Sequence, residues 1–296
     1  MSAPAEAFWS ALPLGREVRL LARDENGLAA FEKPAGVLSH PNAPGEEARS
    51  LLHARYVFEG EFFEWEAAGG GGTQRLWLLN RLDSATSGVI LAAASEELAG
   101  EIRAQFKRKQ VRKVYEALVF GTPRQAVELW RDLLAIEKRA GKIRTATHAG
   151  HVPAESRMSV VRASRREPRL ALLRLEPRTG RSHQLRVQCA KRGLPIVGDQ
   201  TYGDFARNRE FAKLAGTKRL FLHSLETSFD YEFAGKRWTF AAKAPLPAPS
   251  SRNSAASPSC ASVPCTACTT QRANSSPSSG AVMKSPAAPN LVAPAL

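Results

Sequence analysis

One carboxylate in this chain lies where side-chain chemistry is often done, at the end of a buried strand. Asp83 belongs to residues 81–88 (RLDSATSG), which separate two short apolar runs at 76–79 and 89–93. Apolar runs of this length are typical of buried strands, and the Ser, Thr and Gly residues between them are typical of a turn. A carboxylate at the rim of a sheet could act as a nucleophile or a base, or it could only cap the turn. The residues alone leave both interpretations open.

A second stretch with candidate functional residues is 178–187 (RTGRSHQLRV), which contains Arg186. Thr179 is a favoured capping residue, and Leu185, Cys189 and Ala190 follow at helical spacing. This pattern predicts a helix that begins at Thr179 and ends before Gly193. An arginine at the sheet end of such a helix could reach a carboxylate, although an arginine is more often a solvated surface charge.

Tyr115 lies in a predicted strand at 114–121, where an aromatic side chain is most often part of the core. A helix is predicted just before this strand, with Ser95 as its N-cap. The helix leads into residues 107–113 (KRKQVRK), which hold five cations. Such a run indicates either a solvated face or a surface that grips phosphates.

Two long motifs connect these residues to a known family. Residues 81–88 resemble the RLDxxTSG signature of the RluA-type RNA pseudouridine synthases, and residues 178–187 with 193–203 (GLPIVGDQTYG) resemble their downstream motif. Weaker matches occur at 33–36 (KPAG) and 113–117 (KVYEA). The resemblance covers roughly residues 17 to 246.

The resemblance implies an α+β protein with the pseudouridine synthase fold, in which helices and loops flank a mixed, mostly antiparallel sheet. It implies that Asp83 is the nucleophile, that Arg186 forms an ion pair with it, and that Tyr115 lies against the target base. Arg81 is expected to fill the space that the target uridine leaves. The residues expected to bind substrate are Arg81, Lys113, Arg181, His183 and Leu185. The turn at 33–36 is expected to support the rim of the site, although Lys33 could simply be solvated.

The implied reaction breaks the N1–C1′ bond of uridine, rotates the base and rejoins it through C5, which requires no cofactor and no metal. Asp83 could attack C1′, remove a 2′ proton to form a glycal, or attack C6 of the base, and the sequence does not choose among them. One alternative is a non-catalytic RNA-binding or ribosome-assembly protein on the same fold. Another is a glycosidase acting on another substrate, but that chemistry uses two carboxylates, and the resemblance gives a catalytic role to only one, Asp83. Asn80 and Gln188 stand where many family members have His, which affects substrate detail.

The charge balance favours a nucleic-acid partner. The 296-residue chain has a formal net charge of +14, and 43% of its residues are hydrophobic, enough for a core. We expect a monomer that acts on ribosomal or transfer RNA. The glycine run at 69–72 lacks the Lys-Ser/Thr ending of a phosphate-binding loop, so no nucleotide cofactor is expected. The chain has neither a signal-peptide pattern nor a long apolar run, so we expect a soluble, cytoplasmic protein without a membrane partner.

The sequence divides into an N-terminal segment (1–16), a catalytic domain (17–246) and an Ala/Ser/Pro-rich tail (247–296). The tail lacks acidic and aromatic residues, so we expect it to be disordered. Its cysteines, with spacing C-x4-C-x2-C, make a weak zinc signal, and chance is the preferred explanation; they are Cys260, Cys265 and Cys268. Within the domain we predict a hairpin of strands 18–21 and 28–31, a short helix within 47–57, and further strands in 129–165 and at 170–176. The final predicted elements are a strand at 220–223 and a hairpin over 227–240. His148 and His151 are interpreted as surface residues.

Overall fold

The computed structural model describes residues 3–67, 70–139, 142–146, 151–164 and 166–247. Their strands are β1 Arg19–Arg23, β2 Leu28–Lys33, β3 Arg55–Val57, β4 Phe62–Glu66, β5 Thr73–Leu78, β6 Ser87–Ala93, β7 Arg112–Phe120, β8 Val127–Arg139, β9 Lys142–Ala146, β10 Val152–Ala163, β11 Leu170–Pro177, β12 Leu222–Phe233 and β13 Lys236–Lys243. The helices are α1 Ala3–Ser10, α2 Glu96–Lys107, α3 Gln184–Lys191 and α4 Phe205–Ala215, and a 3-10 helix covers Glu47–Arg49. Among these helices, none is long and apolar enough to cross a membrane.

The strands form a mixed sheet in which antiparallel pairs predominate, as predicted. Its main path runs β3-β4-β5-β6-β12-β7-β11-β10-β8-β9, with β2 also paired to β6, β1 to β2 and β13 to β12. Strands β6 and β12 are parallel, and their pairing is short: Ser87 lies opposite His223 and Gly88 opposite Ser224. This short parallel contact joins the two halves of the sheet.

The contact between β6 and β12 depends on a glycine. Gly88 has a φ of +114°, and a Cβ atom at this position would lie 2.1 Å from the backbone oxygen of Ser224. No other residue type fits so close an approach. The loop that carries Asp83 ends where this contact begins, so the site lies over the seam between the two halves.

Strand β6 is buried on both faces because core residues cover it from two sides. Val89 and Leu91 pack with Leu98 and Ile102 of α2 in one cluster. On the other face, Ile90 and Ala92 pack in a cluster that includes Phe63, Leu51 and Trp9. Ser95 accepts a hydrogen bond from the Leu98 backbone and caps α2, as predicted. The strand and helix after Asp83 are thus held rigidly.

The structure corrects one of the predicted elements and adds helices that were not predicted. The short helix expected within 47–57 is only the 3-10 helix at Glu47–Arg49, and the chain then enters β3. Two helices were not predicted. Helix α1 places Trp9 in the core, and α4 is capped by Asp204 and ends at Gly216. Predictions for the tail beyond residue 247, for its cysteines and for His148 concern residues outside the described ranges, whereas His151 is exposed.

Candidate active site

The predicted pair of Asp83 and Arg186 is formed in the structure. Asp83 lies in the loop between β5 and β6, with 29% of its side chain exposed. Arg186 lies on α3, is 8% exposed, and donates from Nη1 to Asp83 Oδ2 over 2.9 Å. The carboxylate therefore faces the solvent-filled cleft while its cationic partner is buried behind it.

A second carboxylate, Asp199, holds Arg186 from the other side. The Nε and Nη2 atoms of Arg186 each donate to one oxygen of Asp199, both over 2.8 Å. Burial opposes the charge on Arg186, but the hydrogen bonds and negative charge of Asp199, with those of Asp83, outweigh it and raise the pKa of Arg186. Burial likewise works against the charge of Asp199, whose pKa is nevertheless lowered, chiefly by the hydrogen bonds from Arg186. The fork-to-fork geometry fixes the guanidinium plane.

Asp199 lies in the downstream motif at 193–203, but the sequence predicted no role for it. It is 1% exposed at its side chain, and its Oδ1 atom also accepts from the backbone of Thr201 and Tyr202 over 2.8 and 3.0 Å. The one hint in the sequence was its position: Asp199 is a polar residue in a short stretch that ends in Gly203, and such a stretch is typical of a turn. Sequence spacing could not show that this turn folds behind Arg186.

Helix α3 begins at Gln184, five residues after the predicted start at Thr179. Thr179 does not cap the helix because tertiary contacts use its hydroxyl: the group accepts from the backbone of Glu155 over 2.9 Å and donates to Gln184 over 2.7 Å. His183 precedes the helix with a φ of +55°. The four residues between Thr179 and Gln184 thus form a loop that lines the cleft.

The back of α3 is held by buried polar contacts. Gln188 accepts from Ser156 over 2.8 Å and donates to Asp132 over 2.9 Å. Asp132 also accepts from Lys191 and Arg192, over 2.7 and 3.0 Å. Gln188, which departs from the family pattern, therefore helps to hold α3 in place and does not line the cleft. The other departure, Asn80, accepts a hydrogen bond from the backbone of Leu91 and ties the Asp83 loop to β6.

Tyr115 extends from β7 into the same cleft. Burial raises the pKa of Tyr115 to about 12, a shift that a hydrogen bond with Ser224 opposes and the charge of Asp83 reinforces. The phenol is therefore neutral at pH 7, with a hydroxyl that can donate or accept a proton.

Lys33 is fully buried, so its interpretation as a solvated side chain is wrong. Its Nζ atom donates to three backbone oxygens, those of Pro34, Val37 and Ser84, over 3.0, 2.7 and 3.1 Å. Burial lowers its pKa to about 7, and the charge of Asp83 opposes the shift. These bonds connect the turn at 33–36 to the loop that carries Asp83, as the architectural interpretation expects.

His183 lies beside the central carboxylate. Its Nε2 atom is 3.7 Å from Asp83 Oδ2, and its Nδ1 atom is 2.9 Å from the Tyr202 hydroxyl. Burial lowers the pKa of His183, while Asp83 opposes that shift. The guanidinium carbon of Arg186 lies 5.2 Å from the centre of the Tyr202 ring, so a second aromatic side chain closes this side of the site.

The remaining predicted substrate-binding residues line the same cleft, which has a volume of about 570 Å³. Arg81 and Arg181 are exposed at its wall, and Arg181 donates to the backbone of Pro153 over 3.3 Å. Lys113 is half-buried, which lowers its pKa. Leu185 is buried and presents an apolar surface. Together these residues combine apolar walls with several cations.

Within the described part of the chain, Asp83 is the one carboxylate among the residues that line this cleft. The same part contains no group of three or more His, Cys, Asp or Glu side chains that could hold a metal ion. A cleft with a single carboxylate does not suit a glycosidase with two acids. It suits covalent or proton-transfer chemistry by one aspartate on a polyanionic substrate.

Comparisons with known proteins agree with this geometry. The family model described as RNA pseudouridylate synthase matches residues 27–191. The chain is 31% identical over 234 residues to tRNA pseudouridine synthase C of Yersinia pestis, covering 76% of this chain and 86% of that protein. It is 32% identical over 214 residues to the protein of the same name from Vibrio cholerae, covering 70% and 83%.

Two solved structures share the fold. Human RNA Pseudouridylate Synthase Domain Containing 1 has a TM-score of 0.57 at 21% identity, covering 77% of this chain and 83% of that one. Human RNA Pseudouridylate Synthase Domain Containing 4 has a TM-score of 0.56 at 21% identity, covering 82% and 91%. These likenesses extend across most of the chain.

Proposed function

The chain belongs to the RluA-type family of RNA pseudouridine synthases, and we propose that it converts specific uridines of transfer RNA to pseudouridine with Asp83 as the nucleophile. The observation that carries the role of Asp83 is its position as the single carboxylate in a cationic cleft, bonded to Arg186. The names of the Yersinia pestis and Vibrio cholerae relatives support transfer RNA over ribosomal RNA. Such a substrate would place the reaction in the cytoplasm.

Asp83 and Arg186 have different roles in the first step: Asp83 reacts with the nucleoside, and Arg186 orients it and stabilises its charge. Arg186 engages Oδ2 of Asp83, so we assign the attack to Oδ1. Attack on C1′ breaks the N1–C1′ bond and leaves its electron pair on the uracil; removal of the 2′ proton gives the same departure through a glycal. In either route Arg186 favours the ionised form of Asp83, and Asp199 holds the guanidinium group of Arg186 in position.

The later steps need the base to turn and lose a proton. C5 of the rotated uracil bonds to C1′: in the covalent route the Asp83 carboxylate leaves C1′, and in the glycal route C2′ regains the proton that Asp83 removed. The C5 proton is then lost and N1 gains a proton. We assign Tyr115 to the face of the base, because a neutral aromatic side chain can stack on it and its hydroxyl can exchange a proton. We place His183 beside the ribose, because its Nε2 atom lies 3.7 Å from Asp83 Oδ2.

Binding must first take the uridine out of its stack, which costs a few kcal/mol. We assign Arg81 to the vacated space because it is exposed at the cleft wall two residues from Asp83. Lys113 and Arg181 would contact the neighbouring phosphates. We propose that Leu185 packs against the flipped nucleotide. A monomeric state remains a prediction.

The test is Asp83→Asn, which keeps the shape of the side chain and removes its charge. We expect turnover to be abolished, because an amide can neither attack nor accept the proton, while the affinity for transfer RNA survives. The measurements are tritium release from C5-labelled transfer RNA taken from a strain that lacks the gene, and filter binding of the same RNA.

The matched control is Asp230→Asn, which removes a carboxylate on β12 outside the cleft, where it pairs with Arg237. This variant should turn over like the wild type. Retained turnover in Asp83→Asn, with deamidation excluded by mass spectrometry, would remove Asp83 from the mechanism. Pseudouridine can also be mapped in the RNA of the strain that lacks the gene. If the modification lost in that strain lies in ribosomal RNA, transfer RNA is the wrong substrate.

A further inference from the structure

Three aromatic rings form a cluster at one end of the active-site cleft. The rings of His40 and Tyr56 are stacked, with centres 4.6 Å apart and planes at 9°. Phe58 meets both edge-on, at 5.7 Å from His40 and 5.2 Å from Tyr56. Tyr56 is buried, His40 is half-buried, and Phe58 is 52% exposed. The cluster is thus an apolar surface anchored in the core and open to solvent at Phe58.

The exposed ring lies on a fixed turn. Phe58 begins the turn between β3 and β4, and Arg103 of α2 donates to the backbone oxygens of Gly60 and Glu61 in that turn, over 3.3 and 3.2 Å. Arg103 also donates to the backbone of Leu78, at the end of β5, over 2.9 Å. A ring held in this way needs little ordering before it binds a partner.

The cluster is continuous with the loop that carries Asp83. The Ser39 hydroxyl donates to the oxygen of Leu82 over 2.7 Å and accepts from its nitrogen over 3.0 Å. The next residue, His40, lines the cleft, as does Arg81. The charge of Arg81 also acts on the Tyr56 hydroxyl, whose pKa is raised to about 12 by burial and lowered in part by this arginine. The aromatic cluster and the proposed base-displacing arginine are therefore neighbours.

We propose that Phe58 and His40 form a stacking surface for an unpaired base of the substrate RNA, close in sequence to the target uridine. The proposal rests on the proposed function, because a uridine that enters the cleft leaves neighbouring bases unstacked. Single-stranded bases commonly stack on aromatic side chains, and every base has a face that suits them.

The charges around Phe58 indicate a contact with the base and not with the backbone. Glu59 and Glu61 follow Phe58 in the same turn; both are exposed, and Glu61 pairs with Arg103 over 3.4 Å. Carboxylates at this position disfavour phosphates, whereas they do not oppose an uncharged base. A base contact should contribute affinity without counterion release, so its loss should leave the salt dependence of binding unchanged.

The first test compares Phe58→Ala with Phe205→Ala. Phe205 on α4 is also 52% exposed but lies outside the cleft lining, so it is a matched control. The probe is transfer RNA from the deletion strain. We expect Phe58→Ala to weaken binding by about 5- to 150-fold, with an unchanged slope of log K against log salt and unchanged turnover at saturating enzyme. Phe58→Trp should restore the affinity, and Phe205→Ala should bind like the wild type.

The second test locates the contact. A photoreactive benzoylphenylalanine at position 58 should cross-link to a nucleotide near the uridine that the wild type modifies. Equal affinities of Phe58→Ala and wild type would overturn the proposal and leave the cluster to another kind of partner, such as a protein. A reduced salt slope, or a cross-link far from the modified uridine, would also overturn it. If the wild type forms no pseudouridine in transfer RNA, the proposed function fails independently of these results.

Discussion

Removing the buried amino group of Lys33 should change how the stability of the protein depends on pH. Burial lowers the pKa of this group from 10.5 in an exposed lysine to about 7. The unfolded state therefore binds the proton more tightly than the folded state between these two values. The free energy of unfolding of the wild type should then rise with pH through this window and be lowest below pH 7, where the group is charged in both states.

The size of the effect follows from the two pKa values. Each unit of difference corresponds to about 1.4 kcal/mol, so this one group makes the wild type more stable at pH 9 than at pH 6 by about 3 kcal/mol. Lys33→Met has no such contribution. The variant also loses the hydrogen bonds to Pro34 and Val37, at about 1–3 kcal/mol for each buried acceptor left without a donor. That cost is the same at every pH, so it shifts the curve without changing its shape.

The assay is urea unfolding of both proteins at several values between pH 6 and pH 9. The stability difference between wild type and variant should change by about 2–3 kcal/mol across this range, in favour of the wild type at high pH. The control is Lys236→Met, which removes an exposed lysine at the β12–β13 turn and should leave the pH profile unchanged. Parallel profiles for wild type and Lys33→Met would refute the reasoning and show that the three carbonyl oxygens keep Lys33 charged throughout.

Four further outcomes are expected. Asp199→Asn should lower turnover at saturating RNA by about 10- to 100-fold with little change in RNA affinity, since it removes a charge-assisted partner of Arg186 and not a substrate contact; single-turnover kinetics would show this. Gly88→Ala should destabilise the fold by about 3 kcal/mol or more in urea unfolding, because its methyl group would overlap the Ser224 oxygen. Gly100→Ala on α2, where nothing lies within 4 Å of the new atom, should instead stabilise by about 0.5–1 kcal/mol. Deleting residues 248–296 should leave the melting temperature within about 2 °C of the wild type, because their composition cannot form a core; a larger fall in a melting curve would contradict this.

Local patterns in the sequence were sufficient where neighbouring residues decide the structure. The apolar runs around Asp83 correctly predicted β5 and β6, and β12 and β13 form the hairpin predicted over 227–240, with Gly235 in its turn. The caps of α4, Asp204 and Gly216, were also present in the sequence and could have revealed that helix. The pairing of Asp83 with Arg186 followed only from the family motifs.

The parts that were missed depend on contacts distant in sequence. Thr179 has the properties of a helix cap, but β10 and Gln184 bind its hydroxyl, so the helix starts later. Lys33 is a residue type that is rarely buried, and only the fold brings three carbonyl oxygens around it. Asp199 likewise becomes important only because its turn folds behind Arg186. In each case the deciding partner cannot be recognised from the local sequence.

The seam between β6 and β12 has a consequence for how the enzyme matures. Ser87 and His223 are 136 residues apart, and Asp83 and Arg186 are 103 apart. At about 5–20 residues per second, a ribosome needs about 7–27 s to synthesise the chain between the two seam residues. Throughout that interval β6 has β2 and β5 beside it but lacks β12, so the edge of β6 at Ser87 and Gly88 is open to other chains. A partly folded molecule cannot bring Asp83 and Arg186 together. The fraction of molecules able to turn over therefore measures completed folding. Slow synthesis prolongs the partly folded state and so favours aggregation before folding is complete.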